Sequence, residues 1–453
     1  MRFKYTIIVL FIVTAIIGCT DDVLITDTII AVPDIDPFDK ALIDVLYEAS
    51  NGEGPSFYEL PTRLEDVPED PLNPLSHAKV DLGKMLFHET GLATHPKKEE
   101  NLYTYSCASC HHAQGGFQAG IPQGISEGGI GFGLRGEARI PTPGFSIALL
   151  DVQRIRTPSI LNSAYQEATL WNGSFGGQGV NLGTESAWYP GSRQHTNFTG
   201  FEGLEVQAIE GMDVHRLGVN ETNFNLYGYG NKLKDVFGDL GDTLMSDVYI
   251  ALAIAAYERT VVASEAPFQR WLRGDRKAMK DSWKEGAALF FGKGNCASCH
   301  NGPSLANMEF HALGMNELDG PGFYETVFEN QTVHLGRGGF TGLTEDEYKF
   351  KVPQLYNLKD SRFYGHGSSF QTVLDIIRYK NTAVKENADC PDGQLADDFT
   401  PLGLSDDEIW KITLFVNEAL YDPDLMRYVP DHTLSGFCFP NNDLYSAADL
   451  GCQ

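Results

Sequence analysis

Apolar and polar positions along this chain fall into a few helical stretches separated by long irregular ones. After a short basic start at Arg2 and Lys4, an apolar run extends from Ile7 to Ile17; it has the layout of an export signal and is short of the roughly 20 residues a membrane span needs. Helical spacing predicts elements over 41–48 and 77–88, where Val80, Leu82, Met85, Leu86 and Phe87 supply a packing face. Residues 247–263 predict a helix apolar over a broad face, 278–291 another, and 405–420 a late amphipathic helix opened by the capping box Ser405-Asp406-Asp407-Glu408. No stretch is rich in strand signals. Gly115 to Gly136 holds too many glycines for regular structure, and a loop of that length is expected to lie over a bound group. Pro267 and the Arg273-Gly274-Asp275 turn mark a domain boundary near 270.

Composition narrows the partners. Lys and Arg total 34 against 61 Asp and Glu, a net charge of −27, so the chain should repel nucleic acid and take small, neutral or basic partners. Hydrophobic content of 42% supports packed cores after the signal is removed. Ile16-Ile17-Gly18-Cys19 reads as a lipobox, which makes 1–18 a signal peptide, Cys19 a lipidated first residue and 19–40 a tether. The expected location is the periplasm, with a membrane reached only through that lipid.

The chemistry lies in a pentapeptide that occurs twice. Cys-Ala-Ser-Cys-His stands at Cys107, Cys110 and His111 and again at Cys296, Cys299 and His300. Two thiols at this spacing add to the vinyl groups of one porphyrin, and the adjacent imidazole becomes the iron's proximal ligand. With 8 Cys and 12 His in 453 residues, a chance occurrence is expected only about 0.004 times. A zinc knuckle or a redox dithiol would not need the following His. The reading is two covalently bound haem c groups, ligated by His111 and His300, in an all-α fold of two packed cytochrome c-like domains, 41–270 and 271–453, with long loops. Of the cysteines left over, Cys438 and Cys452 form the most plausible bridge, with Cys390 open as a partner.

Around these motifs the chain resembles the bacterial dihaem cytochrome c peroxidase family, including its tryptophylquinone-maturation branch. The likeness runs from about Leu75 to about Leu420. It is carried by 82–87 (LGKMLF), 156–162 (RTPSILN), 171–173 (WNG), 253–260 (AIAAYERT), 350–357 (FKVPQLYN) and 363–367 (FYGHG). The resemblance implies a peroxidatic haem at Cys107, Cys110 and His111, and an electron-transfer haem at Cys296, Cys299 and His300. It makes Trp171 a relay between them. The family's distal His is missing from 115–136, and His112 is expected to be a surface or propionate-contacting imidazole. For the distal acid/base the family places a Glu ten residues after a Gln. Gln207 matches, but Leu217 stands at the Glu position, leaving Glu202, Glu205 and Glu210, with Glu210 favoured. The second haem's sixth ligand falls on Lys380, or on Tyr379 with a one-residue shift; Met308 and Met315 are outside candidates. Arg156 replaces the Asn side chain that binds an interdomain calcium in relatives, which leaves only carbonyls to hold calcium here.

The resemblance implies a peroxidase that reduces hydrogen peroxide with electrons from a small c-type cytochrome or cupredoxin. Two other readings are a dihaem oxidase modifying a protein or organic substrate through a bis-ferryl state, and a non-enzymatic dihaem electron carrier. Oligomeric state, homodimer included, stays open.

Overall fold

Short-range chemistry decides where the helices begin and how closely they pack. The computed structural model describes residues 35–239, 241, 246–320, 323–324 and 331–452. The signal, Cys19 and most of the tether lie outside the described residues. Twelve helices occur among the described residues: α1 (Pro37–Ala49), α2 (His77–His88), α3 (Gly203–Val214), α4 (Glu221–Tyr227), α5 (Tyr229–Phe237), α6 (Asp247–Thr260), α7 (Pro267–Leu272), α8 (Asp281–Phe291), α9 (Arg337–Thr341), α10 (Val373–Thr382), α11 (Asp406–Leu414) and α12 (Leu444–Leu450). Helix α2 matches its expected bounds because the Ser76 side chain accepts from Lys79 N–H at 3.2 Å. The capping box at α11 closes both ways: Glu408 N–H donates to Ser405 Oγ at 3.3 Å, and Ser405 N–H donates to Glu408 at 2.8 Å. A wider π turn, Phe415–Ala419, carries α11 onward. Two minimal antiparallel pairs accompany the helices, β1 (Gly129–Ile130) with β2 (Ile140–Pro141) and β3 (Phe310–His311) with β4 (Phe350–Lys351). The architecture is therefore helix-rich rather than strictly all-α.

One packing arrangement appears twice. Helix α2 lies against α6 so closely that a Cβ on Gly83 would stand 1.8 Å from the Ala253 carbonyl oxygen; α8 lies against α11 so that a Cβ on Gly286 would stand 2.0 Å from that of Lys411. Only glycine permits either approach. Asn162 follows the first pair's pattern and Asn357 the second's. Both adopt positive φ, 59° and 55°. Asn162 bonds through its backbone N–H to Val261 O at 2.8 Å and through Oδ1 to Ala263 N–H at 2.9 Å. Asn357 repeats this with Leu420 O at 3.1 Å and Asp422 N–H at 3.0 Å. A left-handed Asn thus stitches a loop to the end of a core helix in each half.

Each end of the described chain packs beside the motif more distant from it in sequence. Helix α1 packs on α8 through the buried Leu42 and Leu46, and Asp39 is held there by Lys284 Nζ at 2.6 Å and Trp271 Nε1 at 2.7 Å. The C-terminal segment returns to the first motif. Ser106 and Ser109 hydroxyls donate to Pro440 O at 2.9 and 3.2 Å, Asn442 N–H donates to Thr104 O at 3.0 Å, and Asp443 caps the Gly131 N–H at 3.1 Å.

Candidate haem sites

Each pentapeptide forms one tight 3-10 turn, Cys107–Ser109 and Cys296–Ser298, closed by His111 N–H to Cys107 O at 3.1 Å and His300 N–H to Cys296 O at 2.9 Å. The turn projects two thiols and an imidazole from a single point. All four thiols are unpaired, Cys390 is a free buried thiol, and the disulfide among the described residues joins Cys438 to Cys452. Both imidazoles are set in one way. His111 Nδ1 donates to Phe117 O at 3.3 Å and His300 Nδ1 to Leu305 O at 3.0 Å. Phe117 and Leu305 each turn their carbonyl inward from positive φ, 57° and 50°. A committed Nδ1–H leaves Nε2 as the lone-pair donor an iron needs. Burial holds both rings at about 4, so they are neutral at neutral pH.

The surroundings fit a porphyrin. At the second motif a cavity of about 270 Å³ is walled by Leu313, Val352, Leu355, Val373, Ile376 and Val416, with Cys296, Cys299 and His300 at its rim. A cavity with this apolar wall, beside two thiols and an imidazole, suits a flat apolar cofactor. At the first motif the glycine-rich loop runs directly over a thiol. A Cβ on Gly124 would stand 2.9 Å from Cys110 Sγ and 2.6 Å from Thr157 Oγ1. The loop is anchored by His112, which is buried rather than on the surface: its Nε2 bonds Arg135 O at 3.0 Å, and a Cβ on Gly136 would strike the ring at 2.4 Å. These glycines leave room for an imidazole.

Trp171 lies in the wall of the second cavity, and its hydrogen bonds reach both sites. Its Nε1 donates to Arg156 O at 2.8 Å, two residues before Pro158, whose carbonyl also hydrogen-bonds His111. Its own carbonyl accepts from Lys351 N–H at 2.7 Å, two residues before Pro353, whose carbonyl likewise hydrogen-bonds His300. His366 stands beside it, stacked on Phe350 at 3.6 Å, with Nε2 3.2 Å from Glu317. Tyr379 and Lys380 both line the same cavity. The Tyr379 hydroxyl donates to Leu313 O at 2.6 Å, and Lys380 Nζ to Asp398 O at 2.7 Å. The Lys380 charge acts on both thiols and the imidazole of the motif, opposing burial at Cys296 and Cys299. Met315 is also in the wall, whereas Met308 is not among its residues.

Helix α3 carries Gln207 and two of the carboxylates expected as acid/base candidates, Glu205 and Glu210, and the third, Glu202, immediately precedes it. Glu205 is fully buried against Arg259, with Nε–Oε1 at 2.9 Å and Nη2–Oε2 at 2.6 Å, and Glu202 takes the same Nη2 at 2.9 Å. Glu210 accepts the Thr196 hydroxyl. Just past α3 stands a group that sequence reasoning passed over. His215 Nδ1 lies 2.8 Å from Asp151 Oδ2, and Arg216 binds Glu127 with its Nη2 3.7 Å from Asp151. Burial alone would raise the Asp151 carboxyl; His215, Arg216 and the Ser126 hydroxyl outweigh it and hold it at about 2. The signal was available as His215-Arg216 following directly on the helix that carries Gln207, but a search confined to carboxylates overlooks it.

The repeated motif, the two imidazoles held alike and the helix-rich frame define a dihaem c-type cytochrome. Residues 77–277 match the family model described as di-haem cytochrome c peroxidase. Methylamine utilization protein MauG of Methylorubrum extorquens is 29% identical over 318 residues, covering 69% of this chain and 72% of the relative. Cytochrome-c peroxidase IdrP1 of Pseudomonas sp. (strain SCT) is 29% identical over 332 residues, 69% and 74% of the two chains. In fold, the crystal structure of a MauG-like protein associated with microbial copper homeostasis superposes with a TM-score of 0.57 at 20% identity, covering 83% of this chain and 98% of that one. Residues 77–277 thus carry the pattern of the di-haem cytochrome c peroxidase family, and the similar proteins are named as its members. Its class is that of peroxidase oxidoreductases with two covalently bound haem c groups.

Proposed function

We propose that this chain is an exported, lipid-anchored peroxidase that reduces hydrogen peroxide to water with two electrons from a small periplasmic cytochrome c or cupredoxin. The observation that carries it is the bridge made by Trp171, hydrogen-bonded at one end to the segment that holds His111 and at the other to the segment that holds His300. Cys107, Cys110 and His111 would hold one haem and Cys296, Cys299 and His300 the other, and the bound haems supply the redox chemistry. Trp171 offers an indole step between the two sites. Helix α10 would furnish the second site's sixth ligand: Lys380 faces the motif electrostatically, and Tyr379 would have to give up Leu313 O. The doubled left-handed Asn and the doubled glycine contact support two cytochrome c-like domains, 41–270 and 271–453, each closed by the other's terminus.

Calcium does not fit at Arg156. Its buried guanidinium already donates to Gln118 Oε1 at 3.0 Å, Ser361 Oγ at 2.8 Å, Ile121 O at 3.3 Å and Ala119 O at 3.4 Å, so a fixed cation sits among those oxygens.

A second reading, oxidation of a protein or organic substrate at the same sites, is favoured by the likeness to two methylamine utilization proteins at 29% and 27% identity. One experiment separates the readings: purified holoprotein with two pyridine-haemochrome equivalents per chain, given peroxide and reduced cytochrome c. The proposal expects stoichiometric cytochrome oxidation; peroxide consumption that ignores the cytochrome refutes it. Membrane attachment is tested by Cys19→Ser, which should release the chain into the soluble periplasmic fraction.

A further inference from the structure

The geometry points to His215 as the group that carries the proton during peroxide cleavage at the first site, with Asp151 as its positioning residue. This rests on the peroxidase reading above. The Tyr105 hydroxyl, two residues before Cys107, donates to Arg216 O at 3.4 Å, and His95 N–H to the same carbonyl at 3.2 Å. On the other side, Asp151 is tied to Ser126, two residues beyond the Gly124 that lies on Cys110 Sγ: Ser126 N–H donates to Asp151 O at 3.1 Å, and the Ser126 hydroxyl donates to the carboxylate. The His215–Asp151 pair is thus pinned from both flanks of the first motif. Asp151 is 4% exposed as a side chain, whereas the His215 ring is 39% exposed.

Chemistry follows from which nitrogen is taken. The Asp151 carboxylate accepts from Nδ1–H, which fixes the tautomer and leaves the Nε2 lone pair free as a base. No described residue hydrogen-bonds Nε2. Arg216 adds a cation beside the pair, and its buried Nη2 has no acceptor within hydrogen-bond distance. His215 Nε2 would take the proton from one peroxide oxygen and return it to the other, so that the O–O bond breaks with the second oxygen leaving as water. The bound haem would supply the two electrons drawn from the donor and the solvent two protons, so that the remaining oxygen would leave as a second water; the sum is H2O2 + 2e⁻ + 2H⁺ → 2H2O. Glu202, Glu205 and Glu210 are each engaged elsewhere.

The test uses the full-length holoprotein and two probes, hydrogen peroxide and cyanide, since HCN must also lose a proton to bind as an anion. His215→Gln should slow the single-turnover peroxide step and cyanide association about 10²- to 10⁴-fold, with haem content and ferric spectrum unchanged. Added imidazole should restore part of the rate in His215→Ala. Asp151→Asn should lose part of the rate, and Asp151→Glu should recover some of it. Rates within threefold of the parent in both His215 variants overturn the assignment, as does a loss in Glu210→Gln that equals or exceeds that in His215→Gln. A shift of one haem from low to high spin in His215→Ala also overturns it, because His215 would then be an axial ligand. If the parent fails to reduce peroxide yet cyanide association still depends on His215, the peroxidase reading falls and the placement of His215 stands.

Discussion

Replacing Arg259 by Met would remove the cation that fastens α3 to α6, and its cost can be worked from the contacts. Arg259 and Glu205 are both 0% exposed, and the guanidinium binds Glu205 through two nitrogens and Glu202 through one. After the substitution, Glu205 keeps, among the described residues, Asn73 Nδ2 at 3.2 Å and the more distant charge of Lys79, while Glu202 loses the cation it binds. Breaking a buried pair by removing one partner costs about 3–5 kcal/mol, most of it the stranding of the other charge. Replacing both members by apolar groups of similar volume is often close to neutral. Arg259→Met should therefore lower the urea-unfolding free energy by about 3–5 kcal/mol, and Glu205→Leu with Arg259→Met should recover at least about 2 kcal/mol of that. Equilibrium unfolding of the holoprotein, followed by tryptophan fluorescence, gives both values. A single variant within about 1 kcal/mol of the parent, or a double variant no better than the single, would refute the argument that desolvated charge dominates at this joint.

Three further outcomes are expected. The His88 imidazole is buried, and burial lowers it from 6.5 to about 4; below pH 6.5 the unfolded chain takes a proton that the folded chain refuses. Stability is thus kept above pH 6.5 and declines by about 3 kcal/mol as pH falls to 4. Urea midpoints across that range should show the decline, and His88→Gln should flatten it. Gly83→Val should destabilise by about 1–3 kcal/mol or more because the new Cβ meets the Ala253 carbonyl, with Gly286→Val at Lys411 doing the same, both read by thermal midpoint. Trp171→Phe should keep most of the intramolecular electron-transfer rate and Trp171→Leu should lose it, measured by flash reduction; equal rates in the two would show that the ring merely packs.

Much of this molecule is legible from local signals. The doubled pentapeptide announces both centres, and Ser76 and Ser405 mark their helix starts because a cap is a contact between near neighbours. The helices α3 and α10 are harder to read: α3 mixes Glu205 and Glu210 among its apolar positions, and the burial of Glu205 depends on Arg259, 54 residues away. The His215–Asp151 pair spans 64 residues, and nothing in either local stretch reveals it. The burial of His112 was hidden for the same reason, since the space for its ring is supplied by Gly136. Residues whose environment is made by distant segments are the ones a linear reading misplaces.

The exchange of termini has a consequence for biogenesis. Pro440 lies on the Cys107–Ser109 turn and Asn442 on Thr104 just before it, whereas the helix that leads into the second motif packs on α1, which is made earlier. The earlier thiol pair therefore lacks that cover until residue 440 has been made, 330 residues after Cys110, and stays open to haem attachment through that interval. A nick in the 273–278 turn would not separate the halves, because each fragment would still hold the piece that finishes the other.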